Sequence, residues 1–163
     1  MTVVITILVL LVAAVMPNLT SEKRSREARQ FFAHARNLVQ ETRSRSMGDD
    51  QTRVLRFDES GNRLVVDRLD LETGDSVEER ALELPEGVEG SGYLMEEETS
   101  NAAEWQVAFY ADGKSSKGGI TLTNNGRPIS IVIDEGGTVR QVDGELPDTS
   151  QDIWDAGGYE QRI

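Results

Sequence analysis

The sequence predicts an α+β fold, in which one long N-terminal helix is followed by an antiparallel β-sheet body of about seven or eight strands. Three observations lead to this prediction. Residues 2–16 form an uncharged apolar run that ends at Pro17, residues 18–47 have a helical period of apolar positions, and the chain after Gly48 alternates apolar and charged residues between turns. A length of 163 residues allows one domain and an additional segment.

The apolar run has fifteen residues, whereas a bilayer core requires about 20 helical residues. A cleavable signal would have a basic start and a small-residue cleavage site, but no basic residue precedes the run and Pro17 stands where the mature chain would begin. The remaining interpretation is a membrane helix that begins before Met1. Pro17 need not end this helix, because a proline inside a helix can produce a kink instead.

The segment after the proline is predicted to continue the helix with one apolar face. That face consists of Ala28, Phe31, Ala35, Leu38 and Thr42, with Phe32 and Val39 beside it. A helix from Thr2 to about Met47 would be roughly 70 Å long. We expect Gly48, Asp49 and Asp50 to end it.

The body is predicted to contain strands at residues 52–57, 63–71, 76–84, 88–95, 105–110, 119–123, 128–134 and 138–142. Residues 96–104 are expected to form an acidic loop, and residues 124–127 a hairpin turn. The chain therefore divides into an apolar helix half at 1–17, an amphipathic helix half at 18–47, a β body at 48–145 and an irregular tail at 146–163.

The charge is unevenly distributed along the chain. Seventeen basic and 29 acidic side chains give a net charge of −12, but residues 18–47 carry +4 and residues 48–163 carry −16. A body this acidic repels nucleic acid, so we expect no nucleic-acid partner. The arginines of residues 18–47 are interpreted as a solvated helix face, with contact to lipid headgroups or nucleic acid as the alternative.

No pattern of residues indicates an enzyme or a cofactor. Residues 108–115 match a loose phosphate-loop expression, but they lead into a β-branched strand and not into the helix that a phosphate loop requires. His34 has no nucleophile beside it, and the paired carboxylates are interpreted as solvated loops. Asp148, Asp152 and Asp155 are weak calcium candidates, because no calcium-loop spacing supports them.

The whole pattern resembles the type IV pilin-like proteins, and among them the minor pseudopilins of type II secretion, in the family that groups pseudopilin H with FimT-like proteins. The apolar helix ending VAAVMPNL, the amphipathic continuation SREARQFFAHARNLVQETRSRSM and the late segment WQVAFYADGKSSKGGITLTNNGRPISIVIDEGGTVR carry the resemblance. The residues that fall on the family's structural signature are Pro17, Phe109, Asp112, Gly113, Gly118 and Gly119.

The resemblance implies a pilin-like fold and a subunit anchored in the inner membrane by a single pass, with its C-terminal body in the periplasm. The basic residues after Pro17 would favour the opposite orientation, and we follow the resemblance. The family's assembly glutamate lies seventeen residues before the proline, which is immediately before Met1. We therefore expect a longer natural N-terminus, with its leader, processing and methylation sites, and prepilin peptidase is a partner only in that case.

The predicted function is that of a non-enzymatic minor pseudopilin in a pilus-like filament of type II protein secretion. The resemblance implies contacts with other pseudopilins or pilins through the N-terminal helix, with the inner-membrane assembly platform and with secreted cargo. The small residues Ala13 and Ala14 would let helices approach closely. The alternatives are a minor pilin of a type IV pilus, in assembly or DNA uptake, and a membrane-anchored periplasmic binding module.

Overall fold

A computed structural model of the chain describes the helix backbone from residue 2 onwards, and it describes side chains in residues 26–70, 73–96, 98–124 and 126–146. Within these residues, no helix is long and apolar enough to cross a membrane. The side chains of the predicted apolar helix half and residues 147–163 of the predicted tail lie outside the described residues.

The helix α1 extends over Thr2–Asp49 without interruption at Pro17. It ends two residues later than expected, because Gly48 is still helical. Asp50 instead takes the left-handed conformation, with φ at 58°, that reverses the chain at a helix end. Aspartate tolerates this conformation better than most residues, since its short polar side chain forms local hydrogen bonds.

The predicted apolar face of α1 is buried against the body. Ala35 and Val39 are 0% and 1% exposed, and the other predicted positions, Ala28, Phe31, Phe32, Leu38 and Thr42, are also buried. The hydroxyl of Thr42 donates to the Leu38 carbonyl at 2.7 Å, so this polar group stays paired inside the core. Burial of each of the large side chains contributes about 2 kcal/mol, which holds this half of the helix on the β body.

Nine strands follow the helix. They are β1 at Arg53–Asp58, β2 at Arg63–Leu69, β3 at Ser76–Glu83, β4 at Val88–Met95, β5 at Glu98–Ser100, β6 at Gln106–Phe109, β7 at Gly118–Asn124, β8 at Arg127–Ile133 and β9 at Val139–Asp143. Each of the eight predicted strands is present, and β5 is additional. It lies in the predicted acidic loop, where three residues pair with the end of β4.

The strands form two antiparallel sheets. Sheet A has the order β3-β2-β1-β6, and sheet B has the order β5-β4-β7-β8-β9. The chain leaves sheet A after β3, forms β4 and β5 of sheet B, and returns to sheet A with β6. Helix α1 contacts β1 and β6 of sheet A and β9 of sheet B, so its buried face closes the core at both sheets.

Aromatic side chains connect the two sheets. Phe57 of β1 packs against Tyr93 of β4 with ring centroids 5.7 Å apart, and Tyr93 packs against Trp105 at 6.3 Å. The Trp105 indole is 1% exposed and donates to the Leu94 carbonyl at 3.0 Å. The indole therefore fills core volume while its only polar group is satisfied on sheet B.

Candidate functional site

The last turns of α1 are held by two glycine turns of the body. The Arg43 guanidinium donates through Nε to the Gly113 carbonyl at 2.9 Å. Gly113 and Gly137 have φ angles of 83° and 68°, which favour glycine. A methyl group on Gly113 would lie 2.7 Å from the Met47 sulfur, and one on Gly137 would overlap the Arg43 side chain. Both φ angles therefore favour glycine, and an added methyl group would also require the Met47 or Arg43 side chain to move.

Phe109 and Asp112 of the predicted signature belong to the same turn. Phe109 is completely buried at the end of β6 and forms a bridge to Ser115. The Asp112 carboxylate accepts a hydrogen bond from the Lys114 amide at 2.9 Å, and the Tyr110 amide donates to the Lys114 carbonyl at 2.9 Å. This geometry makes a tight turn that brings Gly113 to the helix.

Gly118 and Gly119 are neighbours in β7 and face opposite sides of sheet B. A methyl group on Gly118 would overlap Val107 of sheet A, so the missing side chain lets the two sheets approach each other. A methyl group on Gly119 would overlap Leu146, which follows β9 and lies across the outer face of sheet B. The structure thus places Phe109, Gly113, Gly118 and Gly119 at packed positions, where chain packing dictates the residue type, while Asp112 stays exposed and shapes its own turn.

Several of the other sequence-predicted positions lie outside the described residues. Pro17 lies in the helix, and its side chain is outside the described residues, as are the calcium candidates Asp148, Asp152 and Asp155. Within the described part of the chain, no group of three carboxylate or histidine side chains could hold a metal ion. His34 is exposed on α1. The residues that match a phosphate loop lead into β7, as expected, and not into a helix.

Arg53 forms an ion-pair clamp that sequence reasoning missed. Its side chain is 4% exposed and donates to both carboxylate oxygens of Asp49, at 2.8 and 2.6 Å, and to Glu79 at 2.8 Å. The hydrogen bonds that Arg53 donates to Asp49, and then those to Glu79, hold the pKa of Arg53 above its ordinary value. The i,i+4 spacing of Asp49 and Arg53 was the one available signal, but it extends across the predicted helix end.

A groove of about 510 Å³ lies between α1 and sheet B. Among the described residues that line it, the charged side chains are Arg29, Arg36 and Arg127, and none is a carboxylate. We call this the basic groove. Its apolar floor consists of Ala28, Phe32 and Ile129, and its carboxamides belong to Asn37, Gln40, Asn124 and Gln141. The groove can therefore accept a carboxylate-bearing surface, with arginines for the charges and amides for hydrogen bonds.

A second, wider concavity of about 990 Å³ lies at the other end of sheet B. Its charged lining consists of Lys114, Lys117 and four glutamates, Glu96, Glu98, Glu104 and Glu135, and we call these four glutamates the acidic rim. Lys117 pairs with Glu135 at 3.3 Å. No ion pair is formed by the other three carboxylates with any described residue.

The described residues thus offer packing surfaces and charged grooves rather than a reaction centre. The large pKa shifts of the described residues belong to ion pairs such as Asp58 with Arg63. In Asp58, hydrogen bonds from Ser60, from Arg63 and from the Gly61 amide hold the pKa well below its ordinary value. Such shifts are typical of structural ion pairs as well as of active sites.

No family model matches the chain, and no curated protein matches its sequence. Solved structures do match it. The minor pseudopilin EpsH from the type 2 secretion system of Vibrio cholerae has a TM-score of 0.60 and 15% identity, over 75% of this chain and 99% of that chain. A minor type IV pilin, FimU of Pseudomonas aeruginosa, has a TM-score of 0.53 and 14% identity, over 77% of this chain and 92% of that chain.

The solution structure of E. coli GspH also matches, with a TM-score of 0.53 and 14% identity, over 76% of this chain and 91% of that chain. These neighbours are pseudopilins and a pilin, which are structural filament subunits and not enzymes. One N-terminal helix and two antiparallel sheets are the features of this chain that the likeness covers. The chain therefore has the pilin-like α+β fold of the minor pseudopilins.

Proposed function

We propose that this chain is a structural subunit of a pilus-like filament, and specifically a minor pseudopilin of a type II secretion system. The observation that carries the proposal is the likeness to EpsH, which extends over 99% of that chain with a TM-score of 0.60. At 15% identity this likeness is one of fold, so the sequence signature at Phe109, Asp112 and Gly113 supplies the second support.

The packing and the charge distribution of helix α1 also support this function. One face of residues 26–49 is buried on the body, while the remaining face, with Arg29 and Arg36, stays exposed. Helix α1 continues towards residue 2, and residues 2–21 carry no charge. In the proposed filament, the uncharged half of α1 packs with the same helix half of neighbouring subunits, where small and branched side chains allow close approach.

The proposal includes a location and a set of partners. The apolar residues 2–16 would anchor the subunit in the inner membrane before assembly, and the β body would lie in the periplasm. Other pilin-like subunits would bind through the helix, and the inner-membrane assembly platform and secreted cargo are further partners.

Deletion of the gene tests the proposal. We expect the deletion strain to retain the secreted proteins of the host in the periplasm, while the folding of other periplasmic proteins is unchanged, and we expect the cloned gene to restore export. The measurement is the extracellular fraction of a secreted enzyme. Normal export in the deletion strain would contradict the proposed role in secretion.

A minor pilin of a type IV pilus is the second candidate, and the likeness to FimU with its TM-score of 0.53 favours it. In this case, deletion would remove surface pili and leave protein export intact. A role in DNA uptake has less support, because residues 48–163 carry a charge of −16, which repels a phosphate backbone. Counting pili by electron microscopy in the same deletion strain separates the two candidates.

A further inference from the structure

Two arginines of the basic groove, Arg36 and Arg127, lack the ion pairs that the arginines of sheet A form. In sheet A, the arginines that pair with a carboxylate are Arg53, Arg56, Arg63, Arg68 and Arg80. Arg36 and Arg127 are exposed and form no ion pair with any described residue. The chain has twelve more acidic than basic side chains, so a shortage of carboxylates does not explain why these two arginines form no ion pair. The groove therefore keeps its positive charge available.

The basic groove and the acidic rim lie at opposite ends of the same sheet. Strand β7 begins beside Lys117, which lines the acidic concavity, and ends at Asn124, which lines the basic groove. The length of this strand separates the two ends by about 20 Å. Helix α1 also extends between these two ends, because Arg29 and Arg36 line the groove, whereas Arg43, further along the helix, contacts the turn at Gly113.

We propose that the basic groove of one subunit binds the acidic rim of a second copy of this chain, in a head-to-tail contact along the axis of α1. The contact would place Arg36 and Arg127 against Glu96, Glu98 and Glu104, the three rim carboxylates without an ion pair among described residues. This contact joins two different surfaces, so each bound copy still has one of them open for the next copy. Such contacts continue from copy to copy unless the rotation between copies closes a ring.

A second copy fits the groove better than an anionic lipid surface does. The groove is concave, with four carboxamides and an apolar floor beside its arginines. Carboxamides can bond to a peptide backbone as well as to carboxylates, whereas a planar lipid surface would reach only the exposed arginines. The inference rests on the proposed function, since it specifies how filament subunits contact each other.

The test is the self-association of the full chain in detergent micelles, measured by sedimentation velocity at roughly 50 mM and 500 mM salt. We expect wild-type protein to associate at low salt and to dissociate at high salt. The Arg36→Glu/Arg127→Glu variant should associate about tenfold more weakly at low salt, because charge pairs become like-charge contacts. The Glu98→Arg/Glu104→Arg variant should be similarly weak, and the combination of all four changes should restore association.

Arg140→Glu is the matched control. Arg140 is also exposed and without an ion pair among described residues, but it lies on the opposite face of sheet B from the buried Ile131 and Ile133, outside the groove and the rim. It should associate like wild type, and circular dichroism should show a folded body in every variant. Failure of the four-fold variant to regain association would overturn the head-to-tail contact.

Two further outcomes would also contradict the proposed contact, and each would show which part of the proposal is wrong. Wild-type chain that stays monomeric at all salt concentrations would count against the contact, while export in the deletion strain would still decide the proposed function separately. If Arg36→Glu/Arg127→Glu reduces binding to anionic phospholipid vesicles while self-association stays at the wild-type level, the groove binds lipid headgroups and not a second copy.

Discussion

The two ends of the helix half that packs on the body are built differently. At the C-terminal end, Arg43 is bonded to Gly113 and Asp49 is clamped by Arg53, so each of these charged groups has a partner inside the subunit. At the other end, Arg36 faces an open groove and has no ion pair with a described residue. This difference indicates that the closed end stabilises the subunit, whereas the open end is available for a contact between subunits.

Phe109→Ala tests the closed end with the largest expected effect. Phe109 is 0% exposed, so its truncation leaves a cavity beside the turn that holds the helix. We expect a loss of about 3–5 kcal/mol in the free energy of unfolding, measured by urea denaturation of the purified chain. Tyr110→Ala is the matched control, because this adjacent ring is 43% exposed and its removal should cost less than about 1 kcal/mol.

Arg53→Met tests the ion-pair clamp. The change leaves the carboxylates of Asp49 and Glu79 without their cation, and both are only partly exposed to water. We expect a loss of about 2 kcal/mol, which is below the cost for a fully buried pair because water reaches both carboxylates. Arg68→Met removes a half-exposed arginine 3.5 Å from the same Glu79 and should change stability by less than about 0.5 kcal/mol. Equal costs for the two variants would contradict the clamp.

Gly113→Ala should cost about 2 kcal/mol, because alanine is strained at a φ of 83° and its methyl group would press on Met47. Gly126→Ala separates these causes. Gly126 has a φ of 76°, but a methyl group there would meet no atom within 4 Å. We therefore expect about 1 kcal/mol from conformational strain alone in Gly126→Ala. Thermal unfolding of both variants gives the comparison, and equal losses would show that contact with Met47 adds nothing.

A smaller effect is expected from the pH dependence of stability. The folded-state pKa of Asp58 lies below its ordinary value of 3.8, owing to hydrogen bonds from Ser60 and Arg63. The Asp58 carboxylate therefore contributes its full stabilisation at pH values above its ordinary pKa of 3.8. This stabilisation is lost as the pH falls through the lower, folded-state pKa. Asp58→Asn should flatten the fall in unfolding free energy between about pH 4 and pH 2. An unchanged acid slope in this variant would contradict the assigned ion pair.

Much of the fold could be predicted from local periodicity. The apolar face of α1 and eight strands were predicted because each pattern depends on residues three, four or two positions apart. Strand β5 was predicted as a loop, since Glu98–Ser100 has low strand propensity and forms a strand only by pairing with β4. The division into two sheets was not predicted, because alternation specifies a strand's buried face but not its distant partner.

The surfaces were less predictable than the fold. The arginines of residues 18–47 were interpreted as a solvated face, and the sequence contained no indication that Arg127 would lie beside Arg36 across the groove. The clamp at Arg53 depends likewise on Glu79, which is twenty-six residues away in the chain. Ion pairs of this kind depend on strand register and on tertiary contacts, which leave no periodic signal in the sequence.

In the proposed filament, the open end of this subunit binds a second subunit. The most direct test of this contact is protein export by a deletion strain that carries the cloned gene. Wild-type chain and Arg140→Glu should both restore the secretion of an extracellular enzyme. Arg36→Glu/Arg127→Glu should accumulate to the wild-type level, because exposed substitutions change stability by less than about 0.5 kcal/mol, and yet it should fail to restore secretion. Full restoration of secretion by Arg36→Glu/Arg127→Glu would contradict this account.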